Sequence, residues 1–198
     1  MGNRRKFIRN SFLTVAAPLL PSVLKASGTG NSGQNKNAKH WVWVNPDQKD
    51  SEQQLNQRYA AYREAGIRGV LFEADSEKHF RAAKKQQLEA HRWNWTMNKG
   101  VKELMEKHPD WYAVSRDGKS CIEQPPYVGY YRWLCPSKPE VIEYLKNEAE
   151  QILSKDYVDG LHLDYIRFCD VILPLNLWSK YGLVQDRELP AFDFCYCP

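Results

Sequence analysis

"DYVDGLHLDYIRF", residues 156–168, is the stretch on which the fold turns. Side chains alternate along an extended chain, so Leu161 and Leu163 share one face and His162 and Asp164 share the other. In a barrel of parallel strands the leucines would pack on the surrounding helices. His162 and Asp164 would then point inward, with Asp164 nearer the rim and Tyr165 and Arg167 just beyond the strand end.

Upstream of that strand, Ser137 opens "SKPE", which reads as a capping box with Glu140. Val141, Leu145, Ala149 and Ile152 then line one face of a helix ending near Leu153. Nearer the N-terminus, "HWVWVN" (40–45) reads as a strand stopped by Asn45-Pro46. Ser51 and Gln54 form a second capping box, Leu55, Tyr59 and Tyr62 follow at helical spacing, and Gly66 closes that helix. "IRGVLFEAD" (67–75) is a second strand, "SEKHFRAAKKQQ" a helix capped by Ser76, and "LEAHRWNWTMN" (88–98) a third strand. A short helix over 99–107 stops at Pro109. An irregular, aromatic-rich piece follows over 109–136, including a hairpin in "DWYAVSRDGK" with Asp117-Gly118 as its turn.

Strands alternating with helices predict a parallel sheet. Two architectures fit, an open doubly wound sheet and a (β/α)8 TIM barrel. No Gly-rich phosphate loop follows the first strand, which counts against the dinucleotide-binding fold. Four strand ends in a row carry polar residues: Asn45; Glu73 and Asp75; His91 to Asn94; Asp164 to Arg167. A barrel gathers its chemistry at those ends, so the barrel is favoured. A full barrel takes about 200 to 250 residues, so 40–198 reads as its first half, about four βα units.

The 198 residues are 42% hydrophobic and 26% charged, a globular composition that suits one domain. The net charge of +4 comes from the first 27 residues, which hold Arg4, Arg5, Lys6, Arg9, Lys25 and no acid. Without those five, 23 basic residues face 24 acidic ones, and a nucleic-acid partner loses its support. Residues 1–27 read as an export signal: a basic start, an apolar run from Phe12 to Leu24, then small residues. "RRKFI" is similar to the twin-arginine motif. The run is too short and too Pro-broken to span a bilayer, so no stable membrane insertion is expected after signal removal. Residues 28–39 read as a polar linker, and the mature chain is expected in the periplasm or outside the cell. Of five cysteines, Cys195 and Cys197 stand close together as "CYCP". Half of a metal knuckle or of a disulfide cluster has this form, but two ligands make an incomplete site.

Asp164 is the leading candidate for a catalytic carboxylate, kept ionised by a fixed cation such as Arg167 beside it; the competing reading pairs it with Arg167 or a neighbouring strand only to order the rim. Glycoside hydrolysis usually takes two carboxyl groups, and the other rim acids are Glu73 and Asp75. Asp75 also suits a place at the following helix start, and Glu73 suits a pairing with Arg68 or Arg92. His91, Arg92, Trp93, His162, Tyr165 and Arg167 are candidates to line a sugar subsite, with structural burial as the competing reading for the histidine and tryptophans. The first strand lacks His-x-His, so neither a catalytic metal nor a cofactor is expected. The absence of Gly-x-Ser-x-Gly counts against a serine esterase.

Three segments together, "HPDWYAVSRDGKS", "LCPSKPEVIEYLKNEAEQIL" and "YVDGLHLDYIRF", resemble a bacterial glycosyl-hydrolase-like family of exported glycosidases with a TIM-barrel fold. The resemblance runs over about residues 40–198. It implies a hydrolase that acts on an extracytoplasmic polysaccharide or oligosaccharide, with Asp164 in a catalytic position. In close relatives the chain continues beyond the loop that follows the fourth strand, so an N-terminal fragment is expected. The alternatives are a non-catalytic carbohydrate-binding protein and an inactive fragment.

Overall fold

The computed structural model describes residues 39–198; the expected export signal and the linker as far as residue 38 lie outside the described residues. Four strands, β1 (His40–Val44), β2 (Ile67–Phe72), β3 (Glu89–Trp95) and β4 (Gly160–Asp164), form one sheet in the order β1-β2-β3-β4. Every neighbouring pair is parallel. The helices between them are α1 (Glu52–Glu64), α2 (Glu77–Lys85), α3 (Lys102–Lys107) and α4 (Pro139–Leu153), and α5 (Leu175–Tyr181) follows β4.

The sequential strand order separates the two architectures. A doubly wound sheet reverses direction from an inner strand and places helices on both faces. Here each strand is added beside the last. Right-handed crossovers then carry each helix to the same face. On that face Val70, Phe72 and Ala90 of the sheet pack against Leu55 and Tyr59 of α1 and Phe80 and Ala83 of α2. Buried polar groups in this layer are paired. His79 bonds the Asp47 carbonyl through Nε2 at 3.0 Å and meets the Tyr59 hydroxyl through Nδ1 at 2.8 Å. The opposite face carries Trp41, Trp43, His91 and His162, and Trp43 is 59% exposed there.

Rings fit on the inner face because two strands omit a side chain. Gly69 of β2 lies beside Trp41, and a Cβ at Gly69 would meet the indole at 2.3 Å. Gly160 of β4 lies beside His91, and a Cβ there would meet the imidazole at 2.6 Å. Trp41, His91 and His162 thereby form one layer, with ring centroids 4.6 Å apart for Trp41–His91 and 5.1 Å for His91–His162.

The helix ends follow the local chemistry in two cases and depart from it in two. Ser51 and Gln54 make the expected reciprocal capping box, and Gly66 takes a left-handed φ of +86° after α1. Ser76 is the N-cap of α2, but its hydroxyl turns toward the Gln48 side chain and leaves the cap unmade. The box expected at Ser137–Glu140 does not form. The N-cap is Lys138, and Pro139 begins α4, because its fixed φ and missing N–H suit the first turn. Residues 169–198, expected as a loop, include α5. It starts after Pro174 and is closed by Gly182 at φ +63°.

The 109–136 insertion builds a second core. Tyr112, Ala113, Cys121, Trp133 and Leu134 pack with Met97, Leu104 and Val141. The expected hairpin is present but short, with Val114 bridging Ser120 and Gly118 at φ +80°.

If the glycine slots set the inner layer, adding one methyl at either slot should strain it. Gly160→Ala and Gly69→Ala are each expected to lower stability by about 1–3 kcal/mol, the usual range for overpacking. Urea unfolding midpoints of the two variants against the parent check this. A midpoint unchanged in both would remove the slots from the account.

Candidate active site

The sequence-predicted residues fall into a deep layer and a rim. His91 and His162 belong to the deep layer. His91 pairs in register with Gly160, the first residue of β4, well short of the strand tips. Its Nδ1 is 2.9 Å from Nε2 of His162, and Trp41 packs against both rings. Burial pushes the His91 pKa below its ordinary value, and the His162 ring beside it adds to the effect.

Asp164 is on the rim. It is the last residue of β4, in register with Trp95, and exposed. Its Oδ1 accepts a 2.7 Å hydrogen bond from the Tyr165 backbone N–H. Tyr165 has φ +51°, in the left-handed region that a bulky residue rarely enters. That turn swings the chain away from the strand line. The Tyr165 ring settles 5.0 Å from Trp95 and 5.6 Å from Trp133, measured between centroids. Among the described residues Arg167 does not pair with Asp164, contrary to the pairing the sequence suggested. After the turn, its guanidinium stands 5.4 Å from the Trp133 and Tyr165 rings and bonds Asp170 at 3.2 Å.

A cleft of about 340 Å³ opens beside the β3 tip, lined by Asn45, Glu73, Arg92, Trp93, Asn94, Trp95 and residues 98–101. The structure thus brings Glu73, Arg92 and Trp93 together and leaves Asp164 outside this cleft. Arg92 and Trp93 reach it from opposite sides of the sheet. Arg92 is in register with Phe72, whose ring is in the helix-side core. Its guanidinium donates to the carbonyls of Phe72, at 3.1 Å, and Trp93. Burial pushes its pKa below the usual guanidinium value. Glu73 is exposed and, among the described residues, makes no ion pair with Arg68 or Arg92. Asp75 is a tie between loops, bonded to Lys155 at 2.6 Å and to the Tyr157 hydroxyl at 3.1 Å.

One group at the cleft was not singled out from the sequence. Lys99, only 6% exposed, places Nζ 2.7 Å from Glu148 of α4, and Asn94 donates to the same carboxylate at 2.8 Å. Burial lowers the Lys99 pKa, while the Glu148 carboxylate opposes that shift. Lys99 and Glu148 are 49 positions apart, and neither stands in a motif, so only the fold reveals the pair. Asn98 is similar. Its Oδ1 accepts from the Arg132 backbone at 2.7 Å, while its Nδ2 and the Trp95 indole N–H have no partner among the described residues. A wider groove of about 470 Å³ runs between α1 and α2 on the helix side, away from these tips.

No protein-family model matches the chain, and no curated protein matches it. Among solved structures it is similar to a noncanonic maltogenic alpha-amylase, AmyB, from Thermotoga neapolitana. That match has a TM-score of 0.51 at 16% identity over 74% of this chain and 42% of that one. An alpha-amylase from Lactobacillus plantarum gives 0.49 at 12% identity, over 72% of this chain and 41% of that one. The alpha-galactosidase TtGalA from Thermus thermophilus gives 0.46 at 15%, over 63% and 30%. The chain spans less than half the length of each of these proteins. At such identities the likeness is one of fold, carried by the first match. With the sequential parallel sheet, it identifies four βα units of the TIM-barrel type.

The half-buried His91 gives stability a defined acid limb. Its folded pKa lies below the ordinary 6.5, so above that pH the ring is neutral in both states and contributes no pH dependence. As pH falls through 6.5 and on through the folded value, the unfolded chain takes up the proton more readily, and stability is lost. Urea midpoints followed from neutral pH into this range should fall less steeply in His91→Gln than in the parent. Equal slopes would place the acid sensitivity elsewhere.

Proposed function

We propose that this chain is the first half of a glycoside-hydrolase barrel acting on a polysaccharide or oligosaccharide after export to the periplasm or the medium. The observation that carries the reading is the position of Asp164. It is an exposed carboxylate at the C-terminal tip of β4, on the inner face, beside the rings of Trp95 and Tyr165. In barrels of this type the chemistry sits at that end of the strands. The solved structures of similar fold are an amylase and other sugar-cleaving enzymes by name, which is consistent with the reading. Asp164 would serve as nucleophile or stabiliser of the oxocarbenium-like transition state. Glu73, Arg92 and Trp93 would hold a neighbouring sugar in the cleft, and Tyr165 with Arg167 would form the wall beside Asp164. His91 and His162 would support these groups from below. The second carboxyl group is then either Glu73 or an acid on a later strand of a longer barrel. No cofactor enters this chemistry.

A second reading is favoured by the separation of the two rim acids: Glu73 lines a cleft that Asp164 does not. Sugar binding without hydrolysis needs the aromatic rim and no acid pair. One experiment separates the two. Hydrolysis of a glycan panel, read as reducing-sugar release, should fall by roughly a thousandfold or more in Asp164→Asn, as for loss of a principal catalytic group. Undiminished release in that variant would sink the first reading. A pure binding protein should release no sugar, keep glycan affinity in Asp164→Asn and lose it in Trp93→Ala.

A further inference from the structure

We propose that Cys135, Cys195 and Cys197 form a binding site for a thiophilic divalent cation of the zinc class. The sequence shows only the Cys195/Cys197 pair; the fold adds Cys135, which is 60 positions from Cys195. The three Sγ atoms all lie within 4.8 Å of one another, and Cys135 and Cys195 approach to 3.3 Å.

These spacings favour a cation over a disulfide. Thiolates bound tetrahedrally to zinc at about 2.3 Å stand about 3.8 Å from each other. A disulfide needs about 2.05 Å between two sulfurs, and it would leave the third thiol without a role. No sulfur pair here exceeds the tetrahedral spacing by more than about an ångström, and Cys135–Cys195 falls about half an ångström short of it.

The backbone that presents them is held by other bonds. Cys195 and Cys197 bring their sulfurs to one side, within 4.8 Å of each other. Between them the Tyr196 N–H donates to the Val114 carbonyl at 2.7 Å, and Phe194 bridges Ser115 just upstream. Cys135 is fixed by its own N–H, 2.8 Å from the Trp111 carbonyl. The ligand set therefore does not rely on the cation for its shape. Cys135 is buried and the other two are half-buried, which leaves a path for an ion.

Burial pushes the Cys195 and Cys197 thiols up. It acts on Cys135 as well, but hydrogen bonds from Cys197, Cys195 and Ser137 outweigh it and hold that thiol below its ordinary value. A cation would displace the remaining protons, so its affinity should rise with pH. Zinc takes four ligands, so one position is left for water or another donor. The bound ion would fasten residues 194–197 to the second core, against which Phe194 and Cys195 already pack. Cys121 and Cys169 are outside the cluster. Their thiols are pushed up to about 11 and about 12, chiefly by burial.

Cobalt(II) titration of the reduced, metal-free chain under argon tests the site. The expected result is one equivalent bound with a thiolate-to-cobalt charge-transfer band, and three of the five thiols shielded from a thiol reagent. Cys197→Ser should weaken cobalt binding by at least about tenfold. Cys197→His, which keeps a ligand, should retain one equivalent with a weaker band, and Cys169→Ala should behave as the parent. Circular dichroism on each variant separates lost binding from lost folding. A folded parent with no charge-transfer band would overturn the proposal. So would a Cys135–Cys195 disulfide in the purified chain that, once reduced, takes up no cobalt.

Discussion

The inner face of the sheet is governed by how closely parallel strands approach. Neighbouring strands stand about 4.8 Å apart, too near for two ring-bearing side chains to lie flat side by side. At two places the chain meets this with a glycine on the next strand, Gly69 beside Trp41 and Gly160 beside His91, whereas Trp93 stands in register with His162. The rings then lean across the slots and meet one another, so Trp41, His91 and His162 close the lower layer. With that layer filled, the groups left facing solvent on the strands are those one or two residues further along, at the tips. The division between a packed floor and a polar rim follows from two missing side chains.

The rim then depends on a second event, at the exit from β4. The strand ladder continues past Asp164, whose carbonyl accepts from Thr96 at 2.8 Å, and past Tyr165, whose carbonyl accepts from Met97 at 3.2 Å. The left-handed turn at Tyr165 is therefore held from both sides. A bulky residue in that region is strained, and the strain is tolerated where surrounding contacts over-determine it. Trp95, Tyr131 and Trp133 supply those contacts. Two of these rings come from the 109–136 insertion, so the second core and the β4 tip stabilise one another. Arg167, its guanidinium 5.4 Å from the Trp133 and Tyr165 ring centroids, joins the aromatic wall as a cation over its rings.

The order of strands and helices was legible because each element carries its own local signal. The β4 alternation placed His162 inward and the leucines outward, and the Ser51–Gln54 box formed as its spacing requires. What was not legible depended on tertiary competition. The Ser137–Glu140 spacing satisfies the capping pattern equally well, yet Pro139 one step on sets a different start. His91, Arg92 and Trp93 are adjacent in sequence, and alternation alone sends Arg92 to the other face. Its return to the rim cleft reflects side-chain length, which strand periodicity does not encode. Arg167 was misplaced because strand alternation does not encode the left-handed turn that the backbone takes at Tyr165. Lys99 with Glu148, and Cys135 with Cys195, are long-range pairs that no window of sequence contains.

In the hydrolase reading, the surroundings of Asp164 matter as well as its position. A carboxylate clamped by an arginine has part of its charge already satisfied and is a weaker partner for a developing positive centre. Among the described residues Asp164 has no such clamp, because the turn at Tyr165 hands Arg167 to Asp170. Among those residues its one donor is a backbone N–H, which orients the carboxylate without neutralising it. The aromatic rings beside it offer apolar faces suited to the C–H face of a sugar and compete little for the carboxylate oxygens. The same strained turn thus frees the acid and assembles the wall beside it. Loss of either would be felt at the other, since both descend from the φ of one residue.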